Sequence, residues 1–249
     1  MIQLTIIRIE GYGHWTVTLG SDREAQLQML QARIYHDVQR LFSERDSIVF
    51  FNRFDEYFAV TNGLSADDHR DIQHELTKLY DNMSMSMAIG AGITAFEANL
   101  NAYRERKEGS KLLSDTRIFG SGHHADVAQI MHIDIDSSAK VGNWLSPFEV
   151  TALIMKVYSR LAEEFLKYNS LAFFLGGDNV MVVSNGMAKE HADKVIKNAT
   201  VGIDVKLNCG IGIGKTGRRA AEAATKALDT IRDLRKEGKI QTIYEIQCP

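Results

Sequence analysis

The strongest structural signal in the sequence lies in residues 170–187, an apolar run that breaks at Gly-Gly-Asp-Asn (176–179) and then resumes. This pattern is typical of a β-hairpin, because glycine readily adopts the positive φ angles that tight hairpin turns require. Residues 47–63 repeat the pattern at a constant offset, with Phe50 in the place of Phe173. A repeated hairpin predicts an internal duplication of the chain.

Segments on either side of the hairpin recur in the same order. Before it, residues 9–10 (Ile-Glu) match residues 133–134 (Ile-Asp), and after it, residues 89–94 match residues 211–216. Each repeat is therefore about 120 residues long, an ordinary domain size. We expect an N-terminal domain over 1–114, a C-terminal domain over 127–249 and a linker over 115–126.

Helical and strand periodicities alternate in the same way within each repeat. In residues 22–44, apolar side chains recur every three or four positions, which places them on one face of a helix. The predicted order in each repeat is strand, helix, hairpin, helix, strand and helix, and the second repeat adds a closing strand at 239–246. This order predicts an α+β fold with two tandem ferredoxin-like (βαββαβ) domains.

The bulk composition excludes several classes of protein. A net charge of −3 and a pI near 6.2 give no general attraction to nucleic acid. No apolar run approaches the roughly 20 residues of a membrane helix, and the N-terminus has the pattern of a first strand and not of a signal peptide. Cys209 and Cys248 are too few for a disulfide framework. We therefore expect a cytoplasmic protein that binds neither nucleic acid nor membranes.

Acidic side chains end two predicted strands of the second repeat. Residues 133–136 alternate Ile-Asp-Ile-Asp, and Asp178 lies at the hairpin tip. The βαββ order places the two strands side by side, so Asp134 and Asp178 can converge on one ion. Carboxylate oxygens are hard ligands that suit Mg²⁺. Asp136 is either a third ligand or the cap of the next segment, and Asp178 alone also fits ordinary turn chemistry.

Residues 212–217 (Gly-Ile-Gly-Lys-Thr-Gly) formally fit the pattern G-x-G-x-x-G. A dinucleotide-binding loop is not predicted, because the motif lies in the last strand of a repeated α+β unit and its counterpart at 90–92 lacks the third glycine. A P-loop would need glycine where the chain has Cys209. We interpret these glycines as positions where a helix packs closely against the sheet.

Two histidines are candidates for catalytic proton transfer. His132 precedes Asp134 by two residues, which puts both side chains on the same face of a strand, and His14 follows the first strand. Histidine exchanges protons near neutral pH. The alternative for each is a hydrogen-bonded polar residue without a chemical role.

Three segments of the second repeat resemble the palm-type catalytic domains of nucleotide cyclases and diguanylate cyclases: residues 133–136, 176–179 and 224–232. The N-terminal segment 9–18 (Ile-Glu-Gly-Tyr-Gly-His-Trp-Thr-Val-Thr), with Arg-Phe-Asp at 53–55 and Ala-Val-Thr-Asn-Gly at 59–63, more closely resembles archaeal GTP cyclohydrolase III. This resemblance covers nearly the whole chain. It implies palm-type domains and the hydrolysis of GTP to 2-amino-5-formylamino-6-(5-phosphoribosylamino)pyrimidin-4(3H)-one with release of two phosphates, an entry step to riboflavin and deazaflavin cofactors.

The resemblance also implies cofactors, an assembly and roles for particular residues. It implies Mg²⁺, as two ions, together with a monovalent cation, and a homo-oligomer. Asp134, Asp178 and the backbone carbonyl of Ile135 would bind Mg²⁺. The implied contacts with the nucleotide are made by Gly176, Gly177, Asn179 and Arg232.

The first repeat departs from the family pattern at the end of its first strand and in its hairpin. The departing residues are Glu10, Gly11, His14 and Glu56. A metal role for Glu10 and Asp55 therefore stays open, and so does the question of which repeat holds the guanine. Two other functions are also consistent with the residues: a nucleotide or dinucleotide cyclase that uses the same metal site, and a catalytically inactive sensor that binds GTP.

Overall fold

The computed structural model describes residues 1–108, 116–122, 125–136 and 145–248. The first unit contains β1 (Ile2–Glu10), α1 (Tyr12–Val17), α2 (Glu24–Ser43), β2 (Ile48–Arg53), β3 (Glu56–Val60), α3 (Ala66–Leu79), β4 (Ser84–Gly92), α4 (Ala95–Glu108) and β5 (Ile118–Phe119). The second contains β6 (Ala128–Asp136), α5 (Pro147–Leu166), β7 (Leu171–Gly176), β8 (Asn179–Val183), α6 (Lys189–Ala199), β9 (Lys206–Gly214), α7 (Gly217–Lys236) and β10 (Ile243–Gln247).

Each unit is built on a five-stranded sheet with its first strand in the centre. The strand order is β2-β3-β1-β4-β5 in the first sheet and β10-β9-β6-β8-β7 in the second. The central strand pairs antiparallel with both of its neighbours in each case. The predicted α+β fold with two ferredoxin-like units is confirmed.

Two short elements differ from the sequence-based expectation. The six-residue helix α1 was not predicted, and β5 lies within the stretch 115–126 that we interpreted as a linker. β5 pairs parallel with β4, with Ile118 opposite Met87. A two-residue strand is too short to show alternation in a sequence, so only its contacts in the folded chain reveal it.

One face of each sheet is covered by two helices, and the main cores lie there. A serine cap begins the longer covering helix of the second unit, where Ser146 and Glu149 form a capping box ahead of an apolar stripe. The fully buried stripes are Ile34, Val38 and Leu41 in α2, and Val157, Leu161 and Phe165 in α5. Among the helices of the described residues, none combines the length and the apolar character needed to cross a membrane.

The last helix of each unit packs on the opposite face of its sheet at very short range. A Cβ atom added at Gly212 of β9 would lie 2.1 Å from the carbonyl oxygen of Ala220 and 2.2 Å from the nitrogen of Ala224, both in α7. A Cβ at Gly90 of β4 would lie 2.2 Å from the nitrogen of Ala102 in α4. The prediction that these glycines serve close packing is confirmed.

The two units pack against each other through this second face, with repeat-related contacts. The backbone N–H of Arg218 donates to the carbonyl of Asp46 at 3.0 Å, and its counterpart, the N–H of Phe96, donates to the carbonyl of Asn169 at 3.1 Å. Between them the rings of Phe50 and Phe173 stack, with centroids 4.6 Å apart and planes 10° from parallel. The units are therefore related by an approximate twofold axis near this ring pair.

The relative direction of the two hairpins follows from two contacts. Asp46 lies just before β2 and contacts the N-terminus of α7. Helix α7 follows the end of β9, and the end of β9 pairs with the start of β6, so Asp46 lies near the start of β6. Four residues after Asp46, Phe50 stacks on Phe173. Phe173 and His132 both pair with Met181, so Phe50 lies nearer the end of β6. Hence β2 and β7 run in the same direction, and both hairpin tips lie at one end of the molecule.

We predict that Phe173→Ala lowers the free energy of unfolding by about 3–4 kcal/mol, because it removes a buried ring and leaves a cavity between the units. In urea denaturation, a double-mutant cycle with Phe50→Ala should give a coupling energy of about 0.5–1.5 kcal/mol from the stacked pair. Phe148→Ala is the control, since Phe148 is 81% exposed. A coupling energy of zero would contradict the assignment of this ring pair as the joint between the units.

Candidate active site

The pairing of β6 with the β7–β8 hairpin brings two acidic residues to one point. Asp134 lies opposite Asn179 in the β6–β8 ladder. The backbone N–H of Ile135 donates to the carbonyl of Asp178 at 3.0 Å, which extends the ladder to the hairpin tip. The side chain of Asp134 is only 15% exposed. The expected convergence of the strand end with the hairpin tip is therefore present.

The tip itself leaves the backbone accessible. Gly176 has φ +106° and Gly177 has φ +59°, values that L residues with side chains rarely adopt. Among the described residues, a Cβ atom at either glycine would meet no atom within 4 Å, so crowding by these residues is not the reason for glycine here. The turn conformation requires glycine, and the resulting open backbone can approach a phosphate group closely.

A chain of hydrogen bonds runs from α7 to the hairpin carboxylate. Asn179 Nδ2 donates to Asp178 Oδ1 at 2.7 Å, and because a carboxylate only accepts, this contact fixes the orientation of the amide. Asn179 Oδ1 therefore faces His132, whose Nε2 donates to it at 2.9 Å. In the neutral ring, Nδ1 then accepts from the Thr225 hydroxyl at 3.1 Å. Both ring nitrogens are thus engaged in holding Asn179 and, through it, Asp178.

Arginine side chains of α7 lie over the same strand end. Arg232 Nη2 is 3.5 Å from Asp134 Oδ2, and Arg232 Nη1 donates to Asp229 Oδ1 at 2.9 Å. One turn further, Arg235 donates to Asn208 at 2.7 Å, and Asn208 is the β9 partner of Asp134. The positive charge expected near the nucleotide is therefore present, and Arg232 is 47% exposed, which leaves it able to contact a ligand.

The donor atoms at this point suit a hard divalent cation. Asp134 and Asp178 offer carboxylate oxygens, and Ile135, which follows Asp134 on β6, offers a backbone carbonyl. Across the described parts of the chain, no group of three or more His, Cys, Asp or Glu side chains is arranged to hold a metal, so this site rests on two carboxylates. Asp136 ends β6, but its side chain lies outside the described residues, and its predicted role as a ligand stays a prediction.

The strand registers correct our alignment of the two repeats. Leu4 pairs with Val60 and Gly90, whereas Ile130 pairs with their repeat counterparts, Val183 and Gly212. Leu4 is thus the counterpart of Ile130, which makes Arg8, and not Glu10, the counterpart of Asp134. The match of Ile9-Glu10 with Ile133-Asp134 was wrong by two residues, because a motif that alternates with period two fits equally well after a shift of two.

In the first unit, arginines fill the place that carboxylates and glycines take in the second. Arg53 stands where the second unit has Gly176, and it lies 3.4 Å from both Asp55 Oδ1 and Glu56 Oε2. Arg8 lies 4.0 Å from Asp55 Oδ2 and 3.9 Å from Glu56 Oε2. The first hairpin carries its own counter-charges, and a cation bound there would have to displace them. This arrangement argues against a metal role for Asp55.

Glu10 and His14 also lie in the first unit. Ser86 Oγ donates to Glu10 Oε1 at 2.5 Å, and Arg106 Nη2 donates to the same oxygen at 2.7 Å. Burial alone would raise the pKa of Glu10, but these hydrogen bonds stabilise its carboxylate, and the pKa falls below its ordinary value. His14 is exposed on α1, whereas Asp134 and Asp178 lie in the second unit. Its predicted catalytic role stays a prediction.

Comparison with known sequences decides the family. The sequence model of the GTP cyclohydrolase III family matches residues 1–245. A GTP cyclohydrolase III from Methanothermobacter thermautotrophicus is 36% identical over 93% of this chain and 95% of its own length. Those from Methanosphaera stadtmanae and Methanocaldococcus jannaschii are 37% and 36% identical, over 93% and 98% of this chain and 93% of their own lengths in both cases.

The chain belongs to the GTP cyclohydrolase III family. Among solved structures, the GGEEF domain of a diguanylate cyclase from Vibrio cholerae matches 48% of this chain and 83% of its own length, with 13% identity and a TM-score of 0.37. The assignment to the GTP cyclohydrolase III family rests on the sequence matches alone.

Sequence reasoning missed two residues that shape this candidate site, Thr225 and Arg8. Thr225 lies two helical turns before Arg232 on α7, and this spacing, which puts both on one helix face, was the available signal. For Asn179 the sequence predicted a nucleotide contact and not its bridge between His132 and Asp178, for which the hairpin pairing was the signal. No sequence signal identified Arg8, because its placement depends on a strand register that the alternating sequence leaves open.

We predict that His132→Phe lowers metal-dependent turnover by about 10–100-fold, as is usual when the residue that orients a metal ligand is lost. Since the geometry makes His132 a positioning residue, the pH–rate profile of the variant should keep its shape. Thr225→Val, which breaks only the far end of the hydrogen-bond chain, should have a smaller effect. Loss of one limb of the pH–rate profile in His132→Phe would instead identify His132 as a proton donor or acceptor.

We predict that Glu10→Gln lowers the free energy of unfolding of this GTP cyclohydrolase III family member at neutral pH. The loss should be less than about 1 kcal/mol, because the ion pair between Glu10 and Arg106 is partly exposed. A lowered carboxyl pKa stabilises the fold above the pKa of the unfolded chain, and this contribution is lost as pH falls through the folded pKa. The difference from the wild type in denaturation midpoint should therefore shrink as pH falls below the ordinary carboxyl pKa and vanish below the lowered folded pKa of Glu10. A difference that grows on acidification would be incompatible with this assignment.

Proposed function

We propose that this chain hydrolyses GTP to 2-amino-5-formylamino-6-(5-phosphoribosylamino)pyrimidin-4(3H)-one and releases two phosphates, and that the site lies at Asp134 and Asp178. Membership of the GTP cyclohydrolase III family, over nearly the full length of the chain, is the observation that carries the proposal. The two units are so alike in fold that the family alone does not choose between their hairpins. The charges at the hairpin tips do, because only the second tip has carboxylates facing an open glycine turn.

The phosphate chain and Mg²⁺ belong, in this proposal, at the second hairpin. Asp134, Asp178 and the carbonyl of Ile135 would hold Mg²⁺, which when bound supplies positive charge that stabilises the transition state of phosphate release. Gly176 and Gly177 allow the backbone to lie against the phosphates. Arg232 adds a flexible guanidinium beside Asp134, at a distance of 3.5 Å, from where it can turn to a phosphate oxygen.

Opening of the imidazole ring requires a water at guanine C8 and a proton for the nitrogen that leaves. His132 forms hydrogen bonds through both ring nitrogens, to Thr225 and Asn179, so its role is to hold Asn179 and Asp178 in place.

The nucleoside needs a cavity next to the metal site. A cavity of about 530 Å³ lies beside the β7–β8 hairpin and is lined by Gly177 and Phe174, among other residues. We place the nucleoside there. The monovalent cation and the homo-oligomer that the family resemblance implies stay predictions.

We predict that Asp178→Asn lowers the rate of formylaminopyrimidine formation from GTP at least about 100-fold, because it removes a charged ligand from the metal site. The matched control is Asp55→Asn, which changes the equivalent residue of the first hairpin and should keep turnover within about tenfold of the wild type. Products are identified by mass spectrometry and by loss of the purine absorbance, with GTP and Mg²⁺ as the only additions.

Three outcomes would contradict the proposal. A product with an intact guanine ring would make the protein a nucleotide or dinucleotide cyclase that uses the same site. Tight GTP binding by the wild type without any turnover would make it a sensor. Greater loss of activity in Asp55→Asn than in Asp178→Asn would move the active site to the first unit.

A further inference from the structure

The first unit contains a cavity of its own beside the β2–β3 hairpin, with a volume of about 680 Å³. It is the repeat counterpart of the 530 Å³ cavity beside the β7–β8 hairpin. Equivalent positions line both: Gln28, Phe51 and Phe54 in the first correspond to Thr151, Phe174 and Gly177 in the second. The duplication has therefore produced two cavities, each next to a hairpin tip.

The chemistry of the first cavity differs from that of the second. Its walls are aromatic: the ring of Phe51 meets Tyr35 edge-on with centroids 6.0 Å apart and Phe54 edge-on at 5.1 Å. The exposed amide of Gln28 supplies hydrogen-bond donors and an acceptor, and the buried Gln31, whose Nε2 donates to the Tyr12 hydroxyl, adds a carbonyl acceptor. Flat apolar faces combined with amide groups suit a purine base, which stacks through its faces and forms hydrogen bonds along its edges.

Arginine side chains lie on the same side of the first unit. Arg23 lines the cavity together with Glu24, whose Oε1 lies 3.8 Å from Arg23 Nε, and Arg53 stands at the hairpin tip with 56% of its side chain exposed. Partly exposed guanidinium groups bind phosphate oxygens well, because they can make two parallel hydrogen bonds. The carboxylates of Asp55 and Glu56 are engaged by Arg8 and Arg53, so a phosphate here would meet arginine and not a metal ion.

We propose that the first unit binds a second purine nucleotide, without a metal ion and without hydrolysing it. The base lies between the aromatic rings and the two glutamine amides, and the phosphate is directed toward Arg23 and Arg53. Since the two hairpin tips lie at the same end of the molecule, a nucleotide bound here sits at the same end as the catalytic carboxylates. The proposal goes beyond the GTP hydrolysis assigned to the second unit and does not require it.

The test is calorimetric titration of the full-length protein with guanosine 5′-monophosphate in excess EDTA, so that no metal ion contributes. We expect saturable binding of one nucleotide per chain, and binding of cytidine 5′-monophosphate at least about tenfold weaker, because a pyrimidine offers less stacking area. The double variant Gln28→Ala, Phe54→Ala should bind guanosine 5′-monophosphate at least about tenfold more weakly. Both side chains are exposed, so the fold should persist, which circular dichroism checks.

The matched control is Thr151→Ala, at the equivalent position of the second cavity, which should change this affinity by less than about twofold. Absence of binding in EDTA, or equal binding by the wild type and the double variant, would overturn the proposal. A further titration uses guanosine 5′-[β,γ-imido]triphosphate with Mg²⁺ and should give two sites per chain. A single site, together with a raised KM for GTP in the double variant, would show that the first cavity holds the base of the substrate itself.

Failure of this proposal is distinguishable from failure of the proposed function. In EDTA, the comparison of the double variant with Thr151→Ala shows whether the nucleotide binds in the first or the second cavity, whereas the identity of the product formed from GTP and Mg²⁺ reports on the chemistry of the second unit. Loss of either result leaves the other intact.

Discussion

The pairing of β6 with the β7–β8 hairpin is the constraint on which the candidate site depends. It places Asp134 opposite Asn179 and ties the backbone of Ile135 to that of Asp178, so two aspartates that are far apart in the chain lie on adjacent strand ends. The central position of β6 in its sheet makes this geometry rigid, because the strand is held on both edges. Helix α7 then covers the strand end and brings Thr225 and Arg232 to the same place.

Duplication followed by divergence gives the protein two hairpins with different electrostatics. In the second unit an aspartate and two glycines leave an open, negatively charged turn that suits a cation. In the first unit Arg8 and Arg53 occupy the corresponding positions and neutralise Asp55 and Glu56 from within. A change of a few side chains has thus given the two hairpin tips different charge patterns, while the two units keep the same fold and pack about the Phe50–Phe173 pair.

Much of the fold could be predicted from the sequence, because hydrophobic periodicity and the repeated hairpin determine the element order. The close helix packing at Gly212 and the adjacency of the β6 end at Asp134 to the hairpin tip were accessible for the same reason: both follow from strand order. Strand register was not accessible. The alternation Ile-Glu and Ile-Asp fits equally well after a shift of two residues, so the counterpart of Asp134 was taken as Glu10 when it is Arg8. The contacts of His132 through both nitrogens also depend on three elements that meet only in the folded chain.

The central claim is that a divalent cation binds between Asp134 and Asp178 and not at the first hairpin. Crystals grown with Mn²⁺ and a non-hydrolysable GTP analogue test this most directly, since manganese is located by its anomalous scattering. The account predicts anomalous density in contact with the carboxylates of Asp134 and Asp178, and none beside Asp55, where Arg8 and Arg53 lie. Manganese bound at Asp55, or no manganese at the second hairpin, would contradict it.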